Sequence, residues 1–199
     1  MEEALLAMAS SPWLWPALFA LVVGDAFLVV LPSETVVVAL GALWSATGVP
    51  PIAPVVAVAT AGAVCGDGLC YLIGRRVGLD RWRWQREGRV AAAIARAAAT
   101  VQRRTAVLVF TARYVPFARI AVNLAAGAAR VPLRRYLPLS CGAGLAWAAF
   151  NTFVGALVGR ALGDQPVLSV VVSVPAAIIL GLLVDRLVTV IDARRARAR

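Results

Sequence analysis

The stretch from Phe110 to Gly127, FTARYVPFARIAVNLAAG, constrains this chain most, because it places two arginines within an apolar segment. Arg113 and Arg119 lie three residues on either side of Pro116. An arginine at bilayer depth costs roughly 2.5–3.5 kcal/mol on insertion scales, so a pair of them predicts a functional site. Proline lacks an amide N–H and disfavours helix at the preceding residue, so we expect a helix break at Pro116.

Two guanidinium groups beside a broken helix predict an anion site, in which Arg113 and Arg119 bind a phosphate head group. Arginine presents a planar fork of donors that matches phosphate. At membrane depth, irregular backbone is tolerated only where it is buried in protein or lines a wet cavity. The alternative is a helix end whose arginines extend to the membrane interface. The cost of buried charge favours the site.

The composition places the whole chain in the membrane class, since 61% of its 199 residues are hydrophobic. We expect one membrane domain over residues 1–199. The absence of histidine removes the commonest metal ligand and histidine-based acid–base catalysis. Cys65, Cys70 and Cys141 form no C-x-x-C pair. The sequence therefore predicts no catalytic residue, no metal site and no cofactor, and an enzyme is the least favoured class.

All 20 basic residues are arginine, and the formal net charge is +10. They cluster beside apolar spans, which favours an anionic membrane surface over nucleic acid as the partner. Residues 80–104 interleave arginines with Trp82, Trp84 and an alanine-rich run. This pattern predicts an amphipathic basic helix on the membrane surface, and the tail 192–199 would bind the same surface. A homo-oligomer is also compatible with the sequence.

The first apolar segment, about residues 14–44, is interrupted at Pro32-Ser33-Glu34. It is either one long helix kinked at the proline or a helical hairpin that enters the membrane and returns to the same side. A single helix of about 30 residues would be long for a span that needs about 20. Ser33 suits the N-cap of a second helix, and Glu34 would lie in its first turn. We favour the hairpin.

Three transmembrane helices are expected, at about residues 52–74, 136–158 and 167–191. The first contains Asp67 among small residues that permit close helix packing, namely Gly62, Gly66 and Gly68. Asp67 is either a structural group, bonded to Tyr71 or a backbone donor, or part of the arginine site.

The positive-inside rule places the arginines of 75–104, of 130–135 and of the tail on the cytoplasmic side. The C-terminus is then cytoplasmic. The side of the N-terminus depends on whether segment 14–44 spans the membrane or forms a hairpin.

An internal repeat is suggested by spacing. Pro32 precedes Gly74 by 42 residues, Pro116 precedes Gly159 by 43, and each glycine opens the pattern G-R-x-x-G. Repeat one covers about residues 14–78 and repeat two about 106–163. A re-entrant segment plus one span reverses the second copy, which gives the inverted repeats typical of secondary transporters. A match this short can also arise by chance.

The chain resembles the DedA family of bacterial membrane proteins, within the SNARE-associated, or VTT-domain, superfamily. Four pieces carry the resemblance: LPSETVVVALG (31–41), GDGLCYLIGRRVG (66–78), FTARYVPFAR (110–119) and AAGAARVPLRRYLP (125–138). Trp147 follows in the next helix, as is common in the family. Gly68 stands where members often have a histidine.

The resemblance implies facing re-entrant hairpins in the bacterial cytoplasmic membrane and a role in moving lipids, with undecaprenyl phosphate the expected lipid and proton coupling one option. It maps the family's acidic residues to Glu34, Asp25 and Asp67, as proton-coupling groups or counter-charges. The family's arginines map to Arg113 and Arg119.

Three functions remain open at this point. The first is a flippase for a polyprenyl phosphate or another phospholipid, which needs a positive, partly desolvated site. The second is a proton- or cation-coupled carrier of a small solute that uses the same carboxylates. The third is a structural membrane-homeostasis protein with static ion pairs.

Overall fold

The computed structural model describes residues 2–28, 31–78, 88–114, 118–162 and 172, and the regular structure there is helical. No strand occurs in these residues, so the expected all-helical fold is confirmed for them. A 3-10 turn, Ala112–Tyr114, lies between the sixth and seventh helices. The helices are α1 (Glu2–Ser10), α2 (Leu14–Asp25), α3 (Ser33–Thr47), α4 (Ile52–Val77), α5 (Gly88–Arg103), α6 (Thr105–Thr111), α7 (Ala118–Ala128) and α8 (Leu133–Leu162).

Two of the described helices are long and apolar enough to cross a membrane. They are Ile52–Val77 in α4 and Leu133–Ala161 in α8, with mean hydropathies of 1.7 and 1.5. Both exceed the expected ranges, because α4 continues through Arg75 and Arg76 and α8 begins before Tyr136. Positive charge in the last turn of α4 suits the negative end of its helix dipole, which favours that extension.

The first interrupted segment forms two helices and not one kinked helix. Helix α2 ends at Asp25, and α3 begins at Ser33, directly after Pro32. The expected N-cap bond is wrong, because the buried Ser33 Oγ has no hydrogen-bond partner among the described residues. The fixed φ of Pro32 and its missing N–H account for the boundary without a cap.

The second interrupted segment has one candidate arginine on each side of the interruption. Arg113 lies in the 3-10 turn and Arg119 in the first turn of α7. The expected break at Pro116 falls on residues 115–117, outside the described residues.

The basic amphipathic segment is described from Gly88 onward, as α5. Its Ala98 and Val101 pack against buried residues of the core, while Arg96 and Arg103 are exposed. This two-sided pattern is the one expected. Residues 80–87, the last expected span and the tail 192–199 lie outside the described residues, apart from residue 172.

Contacts divide the chain into two compact units. The α4–α7 unit contains Trp15–Ser33 and Ala57–Trp147. Within it, a Cβ added to Gly127 would strike the carbonyl oxygen of Tyr71, and one added to Gly74 would strike that of Leu124. Helices α4 and α7 therefore touch backbone to backbone.

Helix α2 packs on α4 in the same unit, through two of the expected glycines. A Cβ on Gly62 would lie 3.0 Å from Val22 Cβ, and one on Gly66 would lie 2.6 Å from Ala26 Cβ. The third expected glycine, Gly68, has no such neighbour within 4 Å.

The α3–α8 unit contains Met1–Leu14, Glu34–Val56 and Ala148–Arg199. Here α3 packs on the second half of α8, again through glycine. Cβ atoms on Gly155 and Gly159 would meet the carbonyl oxygens of Val38 and Ala42. Close backbone contact of this kind is typical of helix pairs in membranes, where small residues form the interface.

Candidate anion-binding site around Asp67

The centre of the candidate site is the carboxylate of Asp67, which is 1% exposed in the middle of α4. Its Oδ1 accepts hydrogen bonds from Arg119 Nε at 2.8 Å and Asn123 Nδ2 at 2.9 Å. Its Oδ2 accepts from Arg113 NH1 at 2.9 Å and Ser140 Oγ at 3.1 Å. An ionised carboxylate has about four lone-pair sites, so these four donors satisfy it fully.

Local sequence explains how the donors converge. Arg119 and Asn123 are four residues apart on α7, so both side chains lie on one face of that helix. Asparagine is short, and its reach to Asp67 depends on the close approach of α7 to α4 at Gly74 and Gly127.

Arg119 joins a second carboxylate, that of Asp25 at the last residue of α2. Its NH1 lies 3.0 Å from Asp25 Oδ2, and the two side chains are 15% and 16% exposed. A carboxylate at a helix C-terminus is disfavoured by the helix dipole, so a cation beside it is needed. Two carboxylates and two guanidiniums make the cluster neutral when all four groups are ionised.

The two arginines retain donors that the described residues do not use. Arg113 Nε, Arg113 NH2 and Arg119 NH2 are buried, and no acceptor in the described part of the chain hydrogen-bonds to them. A buried donor left unpaired costs about 1–3 kcal/mol, and more if charged. These three N–H-bearing atoms therefore mark a place where an acceptor would bind favourably.

Trp147 lies beside the same donors. The Arg113 guanidinium carbon is 5.7 Å from the centre of its ring. A cation over the face of an indole is attracted by the ring quadrupole. Trp147 therefore helps to hold Arg113 in position.

A second layer of polar side chains orients Asn123. The hydroxyl of Tyr136 lies 2.9 Å from Asn123 Oδ1 and 3.0 Å from the Asp67 carbonyl oxygen, and donates to either. With its oxygen accepting that bond, the Asn123 amide presents its Nδ2 to Asp67. The ring of Tyr136 stacks on Tyr71, with centroids 4.5 Å apart.

The structure decides between two interpretations of the sequence. Arg113 and Arg119 are 5% and 15% exposed, so their guanidinium groups are buried in the protein and do not extend from its surface. Asp67 does not bond to Tyr71, whose hydroxyl donates to the Val131 carbonyl oxygen at 2.6 Å. Pairing of Asp67 with the arginines is observed, whereas the roles assigned to these three residues stay predictions.

The other predicted site residues belong to the first interrupted segment or lie outside the described residues. Glu34 is an exposed residue in the first turn of α3, in the α3–α8 unit, and its role as a counter-charge stays a prediction. Pro32 is exposed and Ser33 buried at the start of α3. Pro116 is not among the described residues.

Sequence reasoning missed Asn123, Ser140 and Tyr136. Asn123 had a usable signal, since it is a polar residue one turn after Arg119 in an apolar helix. Ser140 and Tyr136 had none, because serine and tyrosine are ordinary residues in a membrane helix.

Within the described residues, no group of three or more Cys, Asp or Glu side chains is placed to hold a metal ion. Cys65 and Cys141 are exposed, and Cys70 is buried with a free thiol.

Comparisons with known proteins identify a matching domain family. A family model for the VTT domain matches residues 31–157, a range that contains Asp67, Arg113 and Arg119. An uncharacterized membrane protein of Mycobacterium bovis is 31% identical over 183 residues, covering 84% of this chain and 83% of the relative. Uncharacterized membrane proteins from two strains of Mycobacterium tuberculosis match to the same extent. No solved structure matches. The chain belongs to the VTT-domain family of membrane proteins, the DedA/SNARE-associated family.

Proposed function

We propose that this protein is a lipid transporter that moves a polyprenyl phosphate, with undecaprenyl phosphate the expected lipid, across the bacterial cytoplasmic membrane. One observation carries the proposal: Arg113 and Arg119 keep three buried guanidinium nitrogens without an acceptor in the described chain. Phosphate oxygens are strong acceptors that match this donor geometry. The family resemblance supports lipid movement as the process.

Charge balance suggests how the phosphate is accommodated. The cluster is neutral when empty, so an arriving anion adds negative charge that must be offset. Asp67 is fully buried and accepts four hydrogen bonds, whereas Asp25 is 16% exposed at a helix end. We assign Asp67 the role of a fixed anchor. Asp25 is the exchangeable counter-charge, which leaves Arg119 or takes up a proton when the phosphate binds.

The packing supports an inverted repeat of re-entrant segments. In each unit, the helix that follows an interrupted segment packs on a long span: α7 on α4, and α3 on α8. Each pair joins one repeat's short helix to the other repeat's span, as expected for two interleaved inverted copies. Reactivity of cysteines at positions 33 and 117 to a water-soluble reagent tests this. Protection of both positions argues against a wet cavity at the breaks.

The distribution of arginines predicts which segments bind the membrane surface and on which side the C-terminus lies. The basic segment 81–104 and the tail 192–199 bind the anionic inner leaflet, which places the C-terminus in the cytoplasm. Labelling an added C-terminal cysteine in spheroplasts with an impermeant reagent tests this, because rapid labelling contradicts the orientation.

The function is tested by reconstitution. Purified protein is placed in liposomes with a fluorescent polyprenyl phosphate whose outer-leaflet fraction can be quenched. We expect the protein to raise the rate at which inner-leaflet lipid becomes quenchable, above protein-free liposomes. Uptake of a small solute without lipid movement favours the carrier alternative. Absence of both activities favours the structural one.

A further inference from the structure

A cavity lined by arginines lies in the α4–α7 unit, between the end of α4 and the start of α8. Its volume is about 480 Å3. Its described lining contains no carboxylate, so the described walls supply no counter-charge to its arginines. The lining residues are Tyr71, Leu72, Arg75, Arg130, Pro132, Leu133 and Arg134.

Arg130 occupies a backbone position that normally belongs to glycine. Its φ is +54°, in the left-handed region. The end of α7 is closed by bonds from Arg130 N to Gly127 O and from Val131 N to Ala126 O. This is a Schellman motif with Arg130 at its left-handed position, where glycine avoids the steric cost of a Cβ. The steric cost of an arginine at this position is the reason to ask what its side chain contacts.

Arg75 is held at the same cavity by a tyrosine. Its NH1 donates to Tyr71 Oη at 2.8 Å, and Tyr71 in turn donates to the Val131 carbonyl oxygen at 2.6 Å. These two hydrogen bonds connect the last turn of α4 to the loop that contains Arg130. Arginine has five N–H donors, so most of those on Arg75 remain for another acceptor.

The apolar walls indicate a lipid and not a free anion. Leu72 and Leu133 line the cavity, and each is 49% exposed. The exposed apolar surface continues along both helices, through Leu69 and Ile73 on α4 and Leu137 on α8. Arginines at one end and exposed leucines beyond match an amphiphile with a phosphate head group and hydrocarbon chains.

We propose that this cavity binds the phosphate group of a membrane lipid, as a site separate from the Asp67 cluster. Two stacked tyrosine rings separate the cavity from that cluster. Tyr71 lines the cavity and stacks on Tyr136, and the Tyr136 hydroxyl hydrogen-bonds to the Asp67 carbonyl oxygen. The binding proposal stands on the cavity alone. Its further role, as the station that loads lipid toward Arg113 and Arg119, rests on the proposed function.

The test measures retained lipid on the full-length protein by native mass spectrometry. Phosphatidylglycerol, phosphatidylcholine and inorganic phosphate are the probes. Arg130→Gly and Arg134→Gln each remove one cavity arginine. The matched control is Arg135→Gln, since Arg135 is exposed, adjacent in sequence and not part of the lining.

We expect wild type and Arg135→Gln to retain phosphatidylglycerol over phosphatidylcholine, and both cavity variants to retain about tenfold less, the factor for losing one charge-assisted contact. Equal retention by all four proteins overturns the proposal. Displacement of phosphatidylglycerol by inorganic phosphate at equal concentration overturns the lipid assignment and leaves an anion site.

A stability measurement separates binding from folding. Glycine suits the left-handed position, so Arg130→Gly should leave the melting temperature unchanged or raise it while lipid retention falls. The melting temperatures are compared in delipidated protein, because lost lipid binding would itself lower them; a lowered value there would mean that Arg130 is structural, which contradicts the proposal. Lipid retention does not depend on flipping, so wild-type transport by the Arg113 and Arg119 variants would overturn only the proposed function and leave the binding proposal unaffected.

Discussion

The α4–α7 unit and the α3–α8 unit use the same packing device for different chemistry. In the first, Gly127 meets the backbone of α4 at Tyr71; in the second, Gly155 meets the backbone of α3 at Val38. Both contacts leave no room for a side chain. Glycine at these crossings is therefore a requirement of the fold and says nothing about function.

The difference lies in what each unit buries. The α4–α7 unit buries Asp67 with Arg113 at 5% exposure, and surrounds them with Asn123 and Ser140. In the α3–α8 unit, the described buried polar side chains are neutral, Asn151 and Thr152. Buried charge costs far more than neutral polar groups, so it is retained where it has a use. Among the described residues, the α4–α7 unit therefore contains a buried charged cluster, and the α3–α8 unit uses the same glycine packing without one.

A large loss of stability is expected in both units where they pack alike. Gly127→Ala and Gly155→Ala should each destabilise the protein by about 3 kcal/mol or more, because a backbone carbonyl must move to admit the Cβ. Thermal unfolding in detergent measures this. Gly68→Ala on α4 is the matched control, since no atom lies near its Cβ position, and it should be tolerated. Tolerance of only one of the two crossing variants would break the comparison.

The substitution Asp67→Asn should show the difference between the two units most clearly, because only the α4–α7 unit buries a charged cluster among the described residues. It leaves Arg113 and Arg119 without their shared carboxylate, and breaking a buried ion pair costs about 3–5 kcal/mol. We expect lost transport together with a lower melting temperature. The neutral counterpart, Asn151→Ala in the other unit, should cost only about 1 kcal/mol, the value of one hydrogen bond. Wild-type transport by Asp67→Asn would reduce Asp67 to a dispensable structural group.

The substitution Asp25→Asn tests whether Asp25 is the exchangeable counter-charge and Asp67 the fixed anchor. Because Asp25 is partly exposed, its loss should change the melting temperature less than Asp67→Asn does. Transport should nevertheless fall, by about tenfold if the phosphate is held about 1.4 kcal/mol more tightly once its competitor for Arg119 is removed. An unchanged transport rate and pH profile would remove Asp25 from the mechanism. Glu34→Gln, the acid at the start of α3, is the comparison variant.

The smallest expected effect is that of Trp147→Leu. It removes a cation–π contact to Arg113 that, at 5.7 Å, is near the distance limit of such contacts and is worth about 0.5–1 kcal/mol, which corresponds to about a twofold to fivefold loss of transport. Trp147→Phe keeps an aromatic face and should lose less. Trp44→Leu changes a tryptophan in the α3–α8 unit and should leave transport near wild type. Equal effects of the two leucine substitutions would indicate a general loss of packing.

The sequence predicts much of this site because charge in an apolar segment is conspicuous. Arg113, Arg119 and Asp67 could be identified, and their pairing expected, from the cost of burying each alone. The split of Arg119 between Asp67 and Asp25 could not be predicted, because it depends on where α2 ends relative to α7 in space.

Two features of the structure were not predicted correctly from the sequence, and each has a local cause. Ser33 begins a helix as expected, yet its hydroxyl caps nothing among the described residues, since cap propensity does not fix a side-chain direction. The left-handed conformation of Arg130 gave no sequence signal, because arginine is rare at that position. Hydrogen bonds between α7 and the following loop determine it.

In the proposed mechanism, the two arginines act as phosphate-binding forks and not as counter-charges alone. Arg119 uses Nε for Asp67 and NH1 for Asp25, and its NH2 remains; Arg113 uses NH1, and its Nε and NH2 remain. A lysine offers one nitrogen in place of three separated ones. It can balance a carboxylate, but it cannot also present a fork to phosphate.

The most direct measurement is the flipping rate of a polyprenyl phosphate in proteoliposomes that contain Arg113→Lys or Arg119→Lys. Arg135→Lys, at an exposed position, is the control, and the amount of inserted protein is measured for each variant. We predict that both site variants insert normally and flip at least about tenfold more slowly, while the control matches wild type. Wild-type rates in both site variants would contradict the phosphate-fork mechanism, because charge alone would then be enough.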